Sequence, residues 1–561
     1  MPRFRRLASM SAAALLALGS VGLAQSFSPR RPGLRPPPPP ARQAPQAPAC
    51  GPTTLTESGT LTVTPGNSVA CTSGGFHTDN HYWRAFDLTS LGITTDFTVC
   101  AVTIGVEEAA SGSGSQPITV NLYTSDPAFP AGTLTPIGTS ATTVDDQTLS
   151  LVTFPVSGSA PKGSQLVVEV FTPNGSDGGN AFFIGSNADP ETAPSYISAS
   201  DCGVPTPVPT ADIGVPNMHI VMTVDGDAVG PVILHVDPAA GVSNANGVIE
   251  IGEDALLAPE WANGGLTDIS LTGIVANLTG PFDPGTIYTI EDDTADYGTI
   301  TAGHSGSCFD CYAISITGTR PLQHFDAHID ETVTPSPFTV GEGSPLNNIQ
   351  KTWTLHVGGS FTDVDPELET DPFYPSIETI YHFGVTAGCG DGTTYCPSQN
   401  NLRQEMAVFL LKAFLGADYV PPDCAGIFQD VPCPATPEFP FSNFIEDLST
   451  RNITGGCAVG PPALYCPDQP VTRAQISPFL LKTLLGGDYV PPDCAGIFQD
   501  VPCPATPEFP FSNFIEDLST RGITAGCAVG PPALYCPDGV VTREQMAAFL
   551  TRTFTLVLYG I

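Results

Sequence analysis

Three arginines stand at equivalent places in a chain that is short of cations. From Cys50 onward there are 12 Lys and Arg against 56 Asp and Glu, yet Arg403, Arg473 and Arg543 each open an L-R-Q-E, T-R-A-Q or T-R-E-Q segment. Lys412, Lys482 and Arg552 occupy a second equivalent set. An Arg at the first residue of a helix sits beside backbone N–H groups and the positive dipole end, an arrangement suited to gripping a carboxylate bidentately. Solvation, or pairing with a nearby Asp, is the competing reading. Other residues could do chemistry too. His77 and His81, and His324 and His328, are H-x3-H pairs without the Glu that a helical metalloprotease motif requires. Cys308 and Cys311 form a C-x-x-C outside any βαβ context, which favours a structural disulfide. Asn244, Asn246, Glu250 and Glu253 offer oxygen ligands for Ca2+, with a plain turn as the alternative. Tyr82 and Trp83 could stack on sugar or belong to a core. No G-x-S-x-G, P-loop or dinucleotide fingerprint occurs, and the chain reads as a non-enzyme.

The elements that must position the arginines repeat. FQDVPCPATPEFPFSNFIEDLSTR stands at 428–451 and again, letter for letter, at 498–521, and a diverged copy begins at Phe361. Phe441, Phe444, Ile445 and Leu448 recur at i, i+3, i+4 and i+7, which predicts a helix ending before Gly522 in the last copy. Thr472 with Gln475 and Thr542 with Gln545 predict capping boxes for a second helix; Asn401 with Gln404 is the counterpart in the first copy. Pro478 inside that helix predicts strain. Ten cysteines fall into five short-range pairs: Cys389/Cys396, Cys424/Cys433, Cys457/Cys466, Cys494/Cys503 and Cys527/Cys536. Disulfides closing such loops would each stabilise by about 2.5–3 kcal/mol; zinc is the alternative, against which stand spacings that are not C-x2-C.

Upstream the texture is strand and turn. Residues 50–228 carry WRAFDL, ITVNLY, QLVVEVF and MHIVMTV between turn signals, which predicts an all-β sandwich of jelly-roll type. Its Cys50, Cys71, Cys100 and Cys202 allow three pairings. Residues 229–357 predict a second sandwich, and SNANGVIEIGEDALLAPEWANGG resembles the opening of bacterial Ig-like modules. Arg3, Arg5 and Arg6, a short apolar run and Gly22-Leu23-Ala24 read as a signal peptide over 1–24. A Pro-rich spacer follows over 25–49. No later stretch is apolar enough to span a membrane. The acidic balance sets nucleic acid aside as a partner.

F-x-D-V, G-I-T-x-G and the T-R-x-Q helix start together resemble S-layer homology repeats, and GCGDGTTYCPSQNNLRQEMAVFL at 388–410 is similar to that family's most characteristic stretch. The resemblance implies three repeats, 358–416, 417–486 and 487–561, forming an α-helical pseudo-trimer. It implies an exported protein held non-covalently on the cell wall through a wall polysaccharide or another peptidoglycan-linked polymer. On that reading Arg403, Arg473, Arg543, Glu405, Thr472 and Thr542 belong to the ligand grooves. The chain departs from the family at Leu402, where Thr is usual, and at Gln475 and Gln545, where Glu is usual. The usual Trp is also missing, with Phe373 and Tyr374, Phe439 and Phe441, or Phe509 and Phe511 as stand-ins. The expectation is therefore a secreted, cell-surface protein with two sandwiches and an anchoring region, needing no cofactor beyond structural Ca2+. The alternatives are a secreted carbohydrate-binding adhesin or lectin, an S-layer-type assembly protein, or an unrecognised hydrolase.

Overall fold

The computed structural model describes residues 26–29, 51, 53–237, 243–336, 349–367 and 371–560. The signal peptide, most of the Pro-rich spacer and Cys50 lie outside the described residues. Within the spacer, Ser26–Pro29 is a strand paired antiparallel with residues 69–72. Among the described residues no helix is long and apolar enough to cross a membrane. The chain divides into two compact units, one running to Val229 and also including Gly264–Thr267, the other beginning at Gly230.

The first unit is a β-sandwich. One sheet orders its strands Val204–Pro209, Ser195–Ala199, Asn80–Asp87, Gln165–Thr172, Ser115–Asp126 and Thr133–Asp145. The other runs Ala181–Ile184, Phe97–Ala110, Met222–Asp227 and Thr53–Thr56, with Gln147–Ala160 also on Phe97–Ala110. Strand alternation explains the layering. Along Gln165–Thr172, Leu166, Val168 and Val170 enter the core between the sheets, while Val167 joins Trp83, Phe129 and Tyr196 in a smaller cluster. Tyr82 lies in the main core, so neither Tyr82 nor Trp83 is an exposed sugar platform. Cys71 is bonded to Cys202, a pairing the spacing alone left open, and Cys100 is also disulfide-bonded.

The second unit opens with another pair of sheets. Val229–Val236, Asp254–Asn263, Tyr312–Gly318 and Thr286–Asp292 form one; Thr294–Ile300, Ile269–Thr279, Asp326–Ser336 and Ile349–His356 form the other. At its centre Glu331, fully buried, accepts hydrogen bonds from Trp261, Trp353, Tyr297 and Tyr312. Burial pushes the Glu331 carboxyl above the usual range, and those four donors act against it.

Among the described residues six α-helices follow: α1 Tyr374–His382, α2 Arg403–Leu415, α3 Ser442–Thr450, α4 Arg473–Leu485, α5 Ser512–Thr520 and α6 Arg543–Thr553. Each repeat contributes two. α2 packs on α3, α4 on α5 and α6 back on α1, so the packing order is cyclic. The backbone closes the same ring: Asn401 N–H donates to Val541 O, Val541 N–H to Val471 O and Val471 N–H to Asn401 O. Gly522 follows α5 with φ of 73°, the left-handed position expected of it. The helical region and the preceding sandwich form one compact unit, because the chain end returns to the sandwich. Tyr559 Oη donates to His356 O and accepts from Ile249 N–H, and Tyr559 O accepts from Leu234 N–H.

Pro478 leaves α4 continuous. Its missing N–H would strand Ala474 O, but Ser477 Oγ donates to that oxygen at 2.7 Å. The hydrogen bond that Pro478 cannot make is thus replaced within one turn.

Candidate ligand grooves between the helical repeats

Each repeat builds its loop the same way. Asp363, Asp430 and Asp500 of F-x-D-V accept paired N–H bonds from Tyr395 and Cys396, Tyr465 and Cys466, and Tyr535 and Cys536. Those bonds hold each Cys at φ of 56–60°, a left-handed value that a side chain resists. The Phe of each motif packs on the same Tyr, with ring centroids 5.4–5.5 Å apart. Beneath that Phe lies Gly388, Gly456 or Gly526, each at positive φ and with no room for a Cβ.

All five expected cysteine pairs are disulfides: Cys389–Cys396, Cys424–Cys433, Cys457–Cys466, Cys494–Cys503 and Cys527–Cys536. Cys308–Cys311 is bonded as well. Cys503 is exposed, as are Cys433, Cys457 and Cys527, so these staples lie at the surface and not in the helical core. Cys433 and Cys503 follow F-x-D-V after one proline, on a Pro-rich loop that leaves the packed Phe and Val behind. Their partners Cys424, Cys466, Cys494 and Cys536 are half-buried, and the staples act chiefly by closing loops. None of the ten cysteines remains as a thiolate for zinc.

The loop Tyr receives the arginine of the preceding repeat. Arg403 Nε donates to Tyr465 O, Arg473 Nε to Tyr535 O and Arg543 Nε to Tyr395 O, at 2.8, 2.8 and 2.9 Å. Each guanidinium also lies over that Tyr ring and over Phe479, Phe549 or Phe409. The three arginines are thus wedged between repeats: Arg403 and Arg543 are buried and Arg473 half-buried. Burial pulls the Arg403 and Arg473 guanidinium groups below their ordinary pKa, opposed by Tyr465 and Asp430 in one case and Tyr535 and Asp500 in the other.

The helix N-termini are not free, contrary to expectation. Arg403 N–H donates to Gln469 O, Arg473 N–H to Gly539 O and Arg543 N–H to Gln399 O, and the next residue's N–H is likewise taken by a neighbouring repeat. Ring closure consumes these donors, so any anion must be held by side chains. Thr472 and Thr542 are N-caps whose hydroxyls accept from Gln475 N–H and Gln545 N–H. In the first repeat the cap falls at Leu402, whose N–H donates to Glu405, and Asn401 does not cap. Instead the Asn401 side chain is fully buried, with neither polar atom bonded. Tyr374 is buried and donates to Glu250.

The three grooves differ in charge. Arg543 is satisfied: Nη1 meets Glu405 Oε1 at 3.3 Å and Nη2 donates to Gly388 O. The residues in Glu405's place are Gln475 and Gln545, which carry no charge. Nη2 of Arg403 and of Arg473 is buried without a hydrogen-bond partner. Two grooves therefore hold a guanidinium with unused donor capacity, and one holds an internal ion pair.

No family model matches the chain, and no curated protein matches it. Among solved structures it is similar to a β-glucuronidase of Bacteroides uniformis at 9% identity and TM-score 0.15, over 50% of this chain and 26% of that one. A GH2 β-galacturonidase of Eisenbergiella tayi bound to galacturonate matches at 8% identity and TM-score 0.14, over 59% and 52% of the two chains. An exo-chitosanase of Amycolatopsis orientalis matches at 12% identity and TM-score 0.15, over 54% and 31%. Likenesses this weak carry no functional argument, and the chain spans about a quarter to a half of those enzymes' lengths.

The remaining candidates resolve separately. Asn244 and Asn246 donate to Glu250, and Glu250 N–H donates to Glu253 Oε1. Burial and the neighbouring Glu250 push the Glu253 carboxyl up to about 8. His77 bonds Pro173 O and His81 bonds Glu169, so the first H-x3-H pair gathers no metal-binding set. The second H-x3-H pair separates: His328 sits near Thr354, while His324 faces Asp326, His356 and His382. Sequence reading missed that group because its members come from three segments with no shared motif. Cys424, Cys433 and Glu446 also lie together, but the two cysteines are disulfide-bonded.

Proposed function

We propose that the chain is an exported surface protein whose helical repeats retain it on the cell envelope by binding an anionic wall polysaccharide. Its β-sandwiches are then presented outward. The observation that carries this reading is that Arg403, buried, and Arg473, half-buried, each lie over aromatic rings and keep an Nη2 with no hydrogen-bond partner. A polymer carboxylate supplies the missing acceptor, and two such sites on one chain raise avidity. The resemblance to S-layer homology repeats supports the same function. So does the cyclic packing of three two-helix units. The disulfides fit an extracytoplasmic compartment.

Charge argues that contact is local. Residues 361–561 hold 8 basic and 23 acidic groups, so long-range attraction to an anionic polymer is unfavourable. Binding should survive moderate salt.

The test is co-sedimentation of the oxidised, signal-cleaved chain with wall sacculi, with and without their attached polysaccharide. Arg403→Ala and Arg473→Ala should lose binding, and Arg543→Ala should retain most of it if still folded. Gln475→Glu and Gln545→Glu, which place a carboxylate where Glu405 stands in the third groove, should weaken binding without unfolding the chain. Binding indifferent to polysaccharide and to all these variants would sink the proposal.

A further inference from the structure

Four polar side-chain atoms converge where the second sandwich meets the first helical repeat. They are His324 Nε2, Asp326 Oδ1, His356 Nδ1 and His382 Nδ1, all within 4.8 Å of one another. Asp326 Oδ1 lies 3.8, 3.4 and 3.2 Å from the three nitrogens in that order. The imidazole centroids stand 5.2, 5.8 and 5.1 Å apart, in a near-regular triangle. All four atoms are buried, and none has a hydrogen-bond partner. The His356 side chain is 0% exposed. Asp326 Oδ1 is within ion-pair reach of the three nitrogens, yet no well-directed hydrogen bond joins any of the four atoms, so the cluster lacks the partners that would offset the cost of burying it.

We propose that His324, Asp326, His356 and His382 bind one Zn2+ in a closed tetrahedral site. Bonds of about 2.0–2.2 Å to a central zinc place ligand atoms about 3.3–3.6 Å apart, close to the 3.8, 3.4 and 3.2 Å that separate Asp326 Oδ1 from the three nitrogens. Three imidazoles and one carboxylate suit zinc rather than Ca2+ or Mg2+, which prefer all-oxygen shells of six or more ligands. The outer sphere is built as well. His356 Nε2 bonds Glu378 Oε2 at 2.7 Å, fixing the ring so that Nδ1 faces the centre. Glu378 is itself held by Ser360 N–H and Oγ.

Comparison between repeats shows that this arrangement is particular to the first. Glu446 and Glu516 stand at Glu378's place and accept backbone N–H bonds from 425–427 and 495–497. In the first repeat the same carboxylate turns to His356. Where His382 stands, the other repeats have Thr450 and Thr520. Four protein ligands leave no open position, so the site is structural. It ties the end of α1 to the end of strand Ile349–His356 and to the 324–326 segment. His324, 38% exposed, gives the ion a way in.

The test uses the untagged, oxidised full chain, stripped with a chelator and titrated with Zn2+ and with Co2+. No free cysteine is present among the described residues, so thiolates cannot supply the signal. The expected result is one equivalent of Zn2+ per chain and the intense visible bands of tetrahedral Co2+. His382→Thr, which installs the residue of the other repeats, should abolish both. Glu378→Gln should weaken affinity about 10–100-fold. His324→Gln, at the exposed rim, serves as the second variant if His382→Thr fails to fold. Less than a tenth of an equivalent of zinc on the wild-type chain, a pale octahedral Co2+ spectrum, or undiminished binding by His324→Gln would each overturn the assignment.

Discussion

Arg403 and Tyr465 hold one another twice. Arg403 Nε donates to the Tyr465 carbonyl and Tyr465 Oη donates to the Arg403 carbonyl, both at 2.8 Å. Arg473 with Tyr535, and Arg543 with Tyr395, repeat the exchange around the ring. Each clasp joins one repeat to the next, so the arginine that could meet a ligand also fixes its own groove. Tyr465→Phe should therefore lower stability by about 1 kcal/mol, read by urea denaturation of the oxidised chain. Arg403→Lys should cost more, because an ammonium can neither donate from the Nε position nor stack as a plane.

Asp430 anchors the loop that presents Tyr465. Asp430→Asn retains one acceptor oxygen and turns the other into a donor facing an N–H. The expected loss is about 1.5–3 kcal/mol, measured by thermal or urea unfolding.

Ser477 and Pro478 form a compensated pair. Ser477→Ala should cost about 1 kcal/mol by leaving Ala474 O unpaired. In a Pro478→Ala background the same change should cost little, because residue 478 then donates its own N–H. A double-mutant cycle reads the coupling.

Glu331 sits in the core of the second sandwich as an acceptor for four donors. Glu331→Gln turns one oxygen into an NH2 group facing them. A loss of about 1–3 kcal/mol is expected for a donor left facing the new NH2 group, and a change in the native Trp fluorescence would report it.

Asp227, in strand Met222–Asp227, is held at a pKa of about 7 by burial, opposed only by the Val229 N–H bond. A carboxyl raised above its unfolded value near 4 keeps its proton in the folded state, so the folded chain binds more protons between those pH values. The stability of the first unit should fall as pH rises from about 4 to about 7 and then level off. Asp227→Asn keeps the oxygen that accepts from Val229 and should flatten that slope in denaturation curves taken across the window.

Much of the helical region was legible in the residues. The i, i+3, i+4 stripe placed α3 and α5, and Thr472/Gln475 and Thr542/Gln545 marked where α4 and α6 begin. Short cysteine spacings gave the staples, although not that Cys433 and Cys503 would stand at the surface, which depends on where each loop meets its helices. The first repeat was read less well, since Leu402 cannot accept a hydrogen bond and Glu405 alone completes that cap. In the first sandwich, four cysteines left the pairing open until the strands brought Cys71 to Cys202. F-x-D-V was visible as a motif, but its Asp acts on N–H groups more than thirty residues later.

By itself the sequence determined what depends on neighbours within a turn or a short loop: helix stripes, caps, staples and the three-part repeat. Only the tertiary structure decided which charges meet. It set Glu405 against Arg543 while leaving an Nη2 of Arg403 and of Arg473 without a partner, and it drew His324, Asp326, His356 and His382 together. The reason is physical. Local order follows backbone geometry over a few residues, whereas ring closure and the docking of the chain end on the second sandwich set side-chain distances between segments that share no local pattern.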